Sequence, residues 1–224
     1  MLGDKMTKNI LSIKDLSFSY RRKNFIENMT LDLEEGINVL IGHNGSGKTT
    51  LIKILATIYK VKAGEIFLND ISYKNLDQIK KHIAYVPQKF NSYDNIKVKE
   101  YIDFMSGFKS SNPDEYLNLF GINEFKDKKL KALSEGMKKR VIIAGALSLK
   151  PKLILLDEPS SGLDKEGREE LRKIYEHIKI NYPQVIILYS THLEEDIFQC
   201  VDKIIEVKEG KIIFNGDLES YRGR

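Results

Sequence analysis

Gly42-His43-Asn44-Gly45-Ser46-Gly47-Lys48-Thr49, followed by Thr50, matches the pattern G-x-x-x-x-G-K-[ST]. The apolar run 37–41 leads into it, and Leu51, Ile52, Leu55 and Ile58 recur behind it at helical spacing. The sequence therefore predicts a strand, a loop and a helix over residues 37–58. In that context the glycines let backbone N–H groups turn inward around phosphate oxygens, at a helix N-terminus whose dipole favours an anion. The Lys48 ammonium would reach the β- and γ-phosphates, and the Thr49 hydroxyl is placed to ligate Mg²⁺. A glycine turn that merely caps a helix is the competing reading, and the flanking strand and helix weigh against it.

GTPases, nucleotide kinases, helicases and transport ATPases all carry such a loop, so the choice falls to the rest of the chain. Leu153-Ile154-Leu155-Leu156-Asp157-Glu158 reads as a buried strand ending in two carboxylates. Adjacent acids at the end of an apolar strand require a cation or a reaction to justify them. Asp157 at the strand tip can hold Mg²⁺, commonly through a water. Glu158, one residue on, can polarise a water for in-line attack on the γ-phosphate. A strand that simply ends in polar residues is the plain alternative, and the upstream loop outweighs it. Ser190-Thr191-His192 closes the next apolar strand, 185–189. A parallel sheet sets His192 beside Glu158, where an imidazole can bond the γ-phosphate and keep water and carboxylate in line.

The remaining pattern is that of an α/β chain. Residues 10–18 and 25–33 alternate around the polar turn 21–24 and predict an antiparallel hairpin. Short apolar strands follow at 65–68 and 83–86, and a helical stretch runs from about 92 to 149. After the strand 153–156 comes a helix with Leu171, Ile174, Tyr175 and Ile178 in register, then a short helix near Leu193 and the hairpin 203–214. Strand–helix alternation at both ends implies a mostly parallel sheet interrupted by a helical insert, in one domain over 1–224. The chain has 224 residues, 42% hydrophobic and 30% charged, with no apolar run near the roughly 20 residues of a membrane span. Residues 1–9 are polar and lack a secretory signal, and the single Cys200 excludes an internal disulfide and suits a reducing cytoplasm. Net charge is +4, with lysines gathered at 126–131 and basic residues at 138–140. These read as a solvated face before they read as contacts for anionic headgroups or an acidic partner. No aromatic stacking pattern accompanies them, so no nucleic acid partner is expected.

Leu133-Ser134-Glu135-Gly136-Met137 resembles the LSGGQ signature of the ATP-binding cassette (ABC) ATPases. The same family resemblance covers Gln88 after Pro87 (the Q-loop) and Ser160-Ser161-Gly162-Leu163-Asp164 (the D-loop). It also covers His192 (the H-loop) and Tyr20, the aromatic expected to stack on adenine. It extends over nearly the whole chain. It implies a RecA-like P-loop NTPase core with an N-terminal antiparallel β subdomain and an inserted helical subdomain at about 92–149. ATP and Mg²⁺ are the implied cofactors. The resemblance places Lys48, Gln88, Glu158 and His192 in catalysis, and Thr49, Gln88 and Asp157 around the metal. It further implies head-to-tail pairing with a second ABC ATPase subunit, the same chain or a paralogue. The Ser134 hydroxyl and the Gly136 N–H would then contact the γ-phosphate of ATP held by the other subunit's loop 42–49. Integral membrane permease subunits complete the expected partners, which sets the chain on the cytoplasmic face of the cell membrane.

The signature departs from LSGGQ at Glu135 and Met137, which predicts a competent but slow ATPase. Signatures of this LSxGM type resemble those of single-cassette subunits of bacterial export systems, so export is the expected direction. Tyr101, Phe104 and Phe108 either fill the core of the helical insert or form a face for a membrane-partner helix. An ABC ATPase outside transport fits less well, because the chain has one cassette, no heptad tract and one cysteine. A module that binds ATP without turnover is disfavoured by Glu158 and His192. About ten residues follow the hairpin ending at 214. Without a C-terminal extension, dimerisation is expected to depend on ATP and membrane subunits.

Overall fold

The computed structural model describes residues 8–20, 23–90 and 94–224, with backbone alone at Tyr20, Lys23 and Asn24. Two strands, β1 (Ile10–Tyr20) and β2 (Lys23–Glu34), form the expected hairpin, each running slightly beyond its alternating core. β3 (Gly36–Ile41) leads through the glycine loop into α1 (Lys48–Leu55). β4 (Ala63–Leu68), β5 (Ile71–Ser72), the single turn α2 (Leu76–Ile79) and β6 (Ile83–Val86) follow. Three helices come next: α3 (Val98–Gly107), α4 (Pro113–Leu119) and α5 (Glu135–Ser148). β7 (Leu153–Leu156), α6 (Lys165–Asn181), β8 (Ile186–Thr191), β9 (Lys203–Lys208), β10 (Lys211–Gly216) and α7 (Leu218–Arg222) complete the chain.

The strands form two sheets. One is antiparallel, in the order β2-β1-β4-β5. The other has the order β10-β9-β3-β8-β7-β6, parallel throughout except for the hairpin strand β10. Every residue of β7 and β8 is buried, as expected of strands covered on both faces. Alternate side chains supply two separate cores. Val39, Ile154, Leu156, Ile187 and Tyr189 pack with α5 and α6 on one face. Leu40, Leu153, Leu155, Ile186 and Leu188 pack with α1 and the antiparallel sheet on the other. This sandwich holds the central sheet rigid. Its register puts Ile41 opposite Thr191, Leu156 opposite Tyr189 and Val86 opposite Leu156. The residues that follow these strands therefore leave along one edge, where open α/β sheets bind ligands.

Three local expectations are corrected. α1 ends at Leu55, and Ile58 is 52% exposed rather than on its buried face. Thr57 at φ 61 turns the chain away there. The helix expected near Leu193 is one 3₁₀ turn, Glu194–Asp196. Tyr101 is 2% exposed, whereas Phe104 and Phe108 are 52% and 65% exposed, so the three aromatics do not share one face. The Tyr101 ring lies against Gly145 of α5, where a β-carbon would come within 2.6 Å of it, and Phe104 meets Phe108 edge-on at 5.0 Å. α7 is an addition to the sequence reading, started by Asp217, whose carboxylate accepts from the Ser220 N–H at 2.8 Å. Among the described residues no helix is long and apolar enough to cross a membrane.

Candidate nucleotide site

The loop 42–49 leaves β3 and enters α1 at Gly47, whose φ of 110 starts the helix without a side-chain cap. His43, Asn44 and Gly45 are exposed at its tip, while Ser46, Gly47 and Lys48 are buried and Gly42, Thr49 and Thr50 are half-buried. Lys48 is 4% exposed and donates from Nζ to the carbonyls of Gly42 at 2.6 Å and His43 at 3.1 Å. Burial lowers its pKa below the usual lysine value, opposed by the negative charges of Glu158 and Asp157. The Ser46 hydroxyl is buried in the loop with no hydrogen-bond partner. A buried orphan hydroxyl beside a buried ammonium and a helix N-terminus is what a bound phosphate would satisfy. From outside the motif, the turn between β9 and β10 supports the loop: the Gly210 N–H donates to the Ser46 carbonyl at 2.9 Å.

Across from the loop, Asp157 and Glu158 follow β7. The Asp157 Oδ1 accepts from the Thr49 hydroxyl and from the Ser190 hydroxyl, both at 3.0 Å. Ser190 also accepts from the Glu158 N–H at 2.9 Å, so one buried hydroxyl on β8 orients both acids. The hydroxyl and carboxylate oxygens of Thr49 and Asp157 are hard donors and fit a Mg²⁺ ion. Glu158 sits at φ 45, in the left-handed region. Its Oε1 lies 3.5 Å from His192 Nδ1, and its Oε2 accepts from Gln88 Nε2 at 2.9 Å. Gln88 Nε2 also lies 3.3 Å from the Ser161 hydroxyl. No hydrogen bond joins Gln88 to Thr49 or Asp157 among the described residues; its amide nitrogen is turned to the Glu158 carboxylate. Its backbone carbonyl accepts from Lys139 Nζ at 3.0 Å.

The structure thus gathers Lys48, Thr49, Asp157, Glu158, His192 and Gln88 at one sheet edge. It does not bring Ser134 and Gly136 there. They line a separate cleft of about 470 Å³ with Gly162, Asp164 and Gly167, which no residue of the loop 42–49 reaches. Ser134 caps α5, its hydroxyl accepting from the Met137 N–H at 3.2 Å. The side chain of Tyr20 lies outside the described residues. Ser190 carries no role in the sequence pattern, and Gly210 reads there only as part of the hairpin 203–214. The basic run 138–140 is not the solvated face expected of it, because Lys138 and Lys139 are 9% and 5% exposed.

The family model described as ABC transporter matches residues 26–161. The chain belongs to the ABC transporter family. The energy-coupling factor transporter ATP-binding protein EcfA1 of Ligilactobacillus salivarius is 35% identical over 95% of this chain and 79% of that protein. The lantibiotic transport ATP-binding protein SrtF of Streptococcus pyogenes is 34% identical over 94% of this chain and 92% of that protein. The solved structure of cbiO1 from Clostridium perfringens, part of the ABC transporter complex cbiONQ, superposes with a TM-score of 0.85. It is 29% identical, covering 97% of this chain and 92% of that one. As a member of this family the chain is an ATP-binding subunit of an ABC transporter and an ATPase. Its fold is the P-loop cassette, as the sequence led one to expect.

Proposed function

We propose that residues 1–224 work as one ATPase domain that closes head-to-tail on a second cassette around Mg-ATP and drives a membrane permease, in the direction of export. The observation that carries this reading is the split within the site. The loop 42–49, Asp157, Glu158 and His192 converge, whereas Ser134 and Gly136 face a different cleft. A second copy or a paralogue, turned end for end, would bring its Ser134 hydroxyl and Gly136 N–H to the γ-phosphate.

In the mechanism, Lys48 and the N–H groups of 42–49 hold the β- and γ-phosphates, with Tyr20 beneath the adenine. Thr49, Asp157 and the side-chain oxygen of Gln88 would hold Mg²⁺, which neutralises charge on the phosphate oxygens when bound. Glu158 takes the proton of the attacking water as its oxygen bonds to the γ-phosphorus and the bond to the leaving β-phosphate oxygen breaks. His192 and the Gln88 amide hold the Glu158 carboxylate from both sides. Hydrolysis removes the phosphate bridging the two cassettes, and the pair opens. Exposed Phe104 and Phe108 offer an apolar contact for the permease, which would hold the chain at the cytoplasmic face of the membrane. Export rests on the Leu133-Ser134-Glu135-Gly136-Met137 signature type.

Glu158→Gln tests the assignment. Hydrolysis should fall on the order of 10²- to 10⁴-fold, with an ATP-dependent dimer visible in sedimentation. Wild-type turnover in this variant, or a stable dimer without nucleotide, contradicts the proposal. Uptake into inside-out against right-side-out vesicles reads the direction.

A further inference from the structure

None of the steps above uses Asp196, a carboxylate in the 3₁₀ turn Glu194–Asp196 that is 1% exposed. Its Oδ2 accepts from the Ser160 hydroxyl and from the Thr191 hydroxyl, each at 2.5 Å. Both donors are buried, Ser160 at 6% and Thr191 at 1%. Two further bonds fix the turn that presents the carboxylate: the Tyr189 hydroxyl donates to the Asp196 carbonyl at 2.6 Å, and the Leu193 N–H to Thr191 Oγ1 at 3.1 Å. Arg168 of α6 faces the other oxygen, Nε to Oδ1 at 3.8 Å, without a hydrogen bond to it, and pairs with Glu195.

The two donors belong to the segments that carry the site. Ser160 follows Glu158 in the loop leaving β7, and Thr191 immediately precedes His192 at the end of β8. Backbone pairing joins β7 to β8 only as far as Leu156 and Tyr189. Beyond that point the Ser190 hydroxyl ties β8 to Asp157 and Glu158, and further along the Asp196 oxygen takes a hydroxyl from each segment, from Ser160 and from Thr191. Bonds to a buried carboxylate are strong and directional, and neither hydroxyl has water to turn to.

We infer that Asp196 is a positioning residue for ATP hydrolysis: by clamping Ser160 to Thr191 it fixes the approach of Glu158 to His192. The inference rests on the roles proposed for those two residues.

The test is steady-state Mg-ATP hydrolysis by the full chain carrying Thr191→Val, Thr191→Ser, Asp196→Asn or the Thr191→Val/Asp196→Asn pair, with Glu158→Gln alongside. Thr191→Val keeps the shape and loses the hydroxyl, and should lower kcat about 10- to 10²-fold, as a small misplacement of catalytic groups does. KM for ATP should stay within about twofold. Thr191→Ser should restore turnover, and the double variant should be no slower than Asp196→Asn alone. Ser160→Ala gives the same reading should Thr191→Val fail to fold. Unchanged kcat in Thr191→Val or Ser160→Ala, an equal loss in Thr191→Ser, a loss confined to KM, or additive losses in the double variant overturn the inference. If Glu158→Gln turns over like wild type, the proposed site itself fails and the inference falls with it. If only Glu158→Gln is impaired, the clamp alone is refuted.

Discussion

Gly210 lies far from the glycine motif in sequence yet holds the phosphate loop from behind. Its φ is +77, and a β-carbon there would stand 2.4 Å from the Phe25 carbonyl oxygen and 2.8 Å from its carbon. Gly210→Ala therefore carries two costs. Left-handed backbone on a residue with a β-carbon costs about 1–2 kcal/mol. Relieving a contact with main chain on a paired strand adds about 1–3 kcal/mol. The sum, about 2–5 kcal/mol, corresponds to a melting temperature lower by about 4–20 °C in a domain of this size. The shift also has a direction. Gly210 donates to Ser46, so moving the β9–β10 turn off β2 drags the phosphate loop, and ATP affinity should fall with stability. Gly162→Ala is the control: φ is +79, but nothing lies within 4 Å of its β-carbon. It carries the backbone cost alone and should melt only about 2–8 °C lower. Thermal melts of the three proteins, with calorimetric titration of ATP, decide the matter. If Gly210→Ala and Gly162→Ala melt together, or Gly210→Ala binds ATP as wild type does, the turn does not support the loop.

Three further outcomes are expected. Lys139 is buried, and its pKa is lowered by that burial against the opposing pull of Glu135 and Asp157 and with a small push from Lys138. The unfolded chain holds this proton more tightly than the folded one, so the lysine's contribution to stability rises as pH climbs from its lowered pKa toward 10.5. Urea midpoints of wild type should gain on Lys139→Met over that window, and parallel curves would refute the reasoning. Ser134→Arg removes the cap of α5, worth about 1 kcal/mol, and fills the cleft at Gly136. Hydrolysis by the assembled complex should fall more than about tenfold, and an unaffected rate would falsify the head-to-tail placement of the signature. Phe108→Ser, at a side chain 65% exposed, should change stability by less than about 0.5 kcal/mol. It should reduce recovery of the chain with membranes, and equal recovery would remove Phe108 from the permease contact.

Much of this architecture could be read from the residues because the signals were local. The β3–loop–α1 unit announces itself through glycines next to Lys48 and Thr49, and β7 and β8 through unbroken apolar runs that only doubly covered strands carry. That Glu158 would meet His192 followed from assuming β7 and β8 to be parallel neighbours, which they are. What stayed hidden depends on three dimensions. Ser190 earns its place by reaching sideways to two residues of the adjoining strand end, and Lys139 by spanning from α5 to the carbonyl of Gln88. Neither leaves a spacing to find. Ile58 misled because helical periodicity continued past Thr57, whose left-handed backbone had already ended α1. Tyr101 fills the core of the insert, one of the two readings its spacing allowed, with Gly145 leaving room for its ring, whereas Phe104 and Phe108 at the same spacing stay exposed.

The backbone of Glu158 bears on how such a chain can change over generations. At φ 45 this residue holds a conformation that costs a side chain on the order of 1 kcal/mol and costs glycine almost nothing. A substitution to glycine would relax the loop after β7 while deleting the group proposed to activate water. The backbone contribution at this position then favours the inactive form, so instability is a weak filter against it. Selection on the work done by ATP is what keeps a glutamate there. Among copies of this cassette that have been relieved of that work, position 158 is where decay should show first.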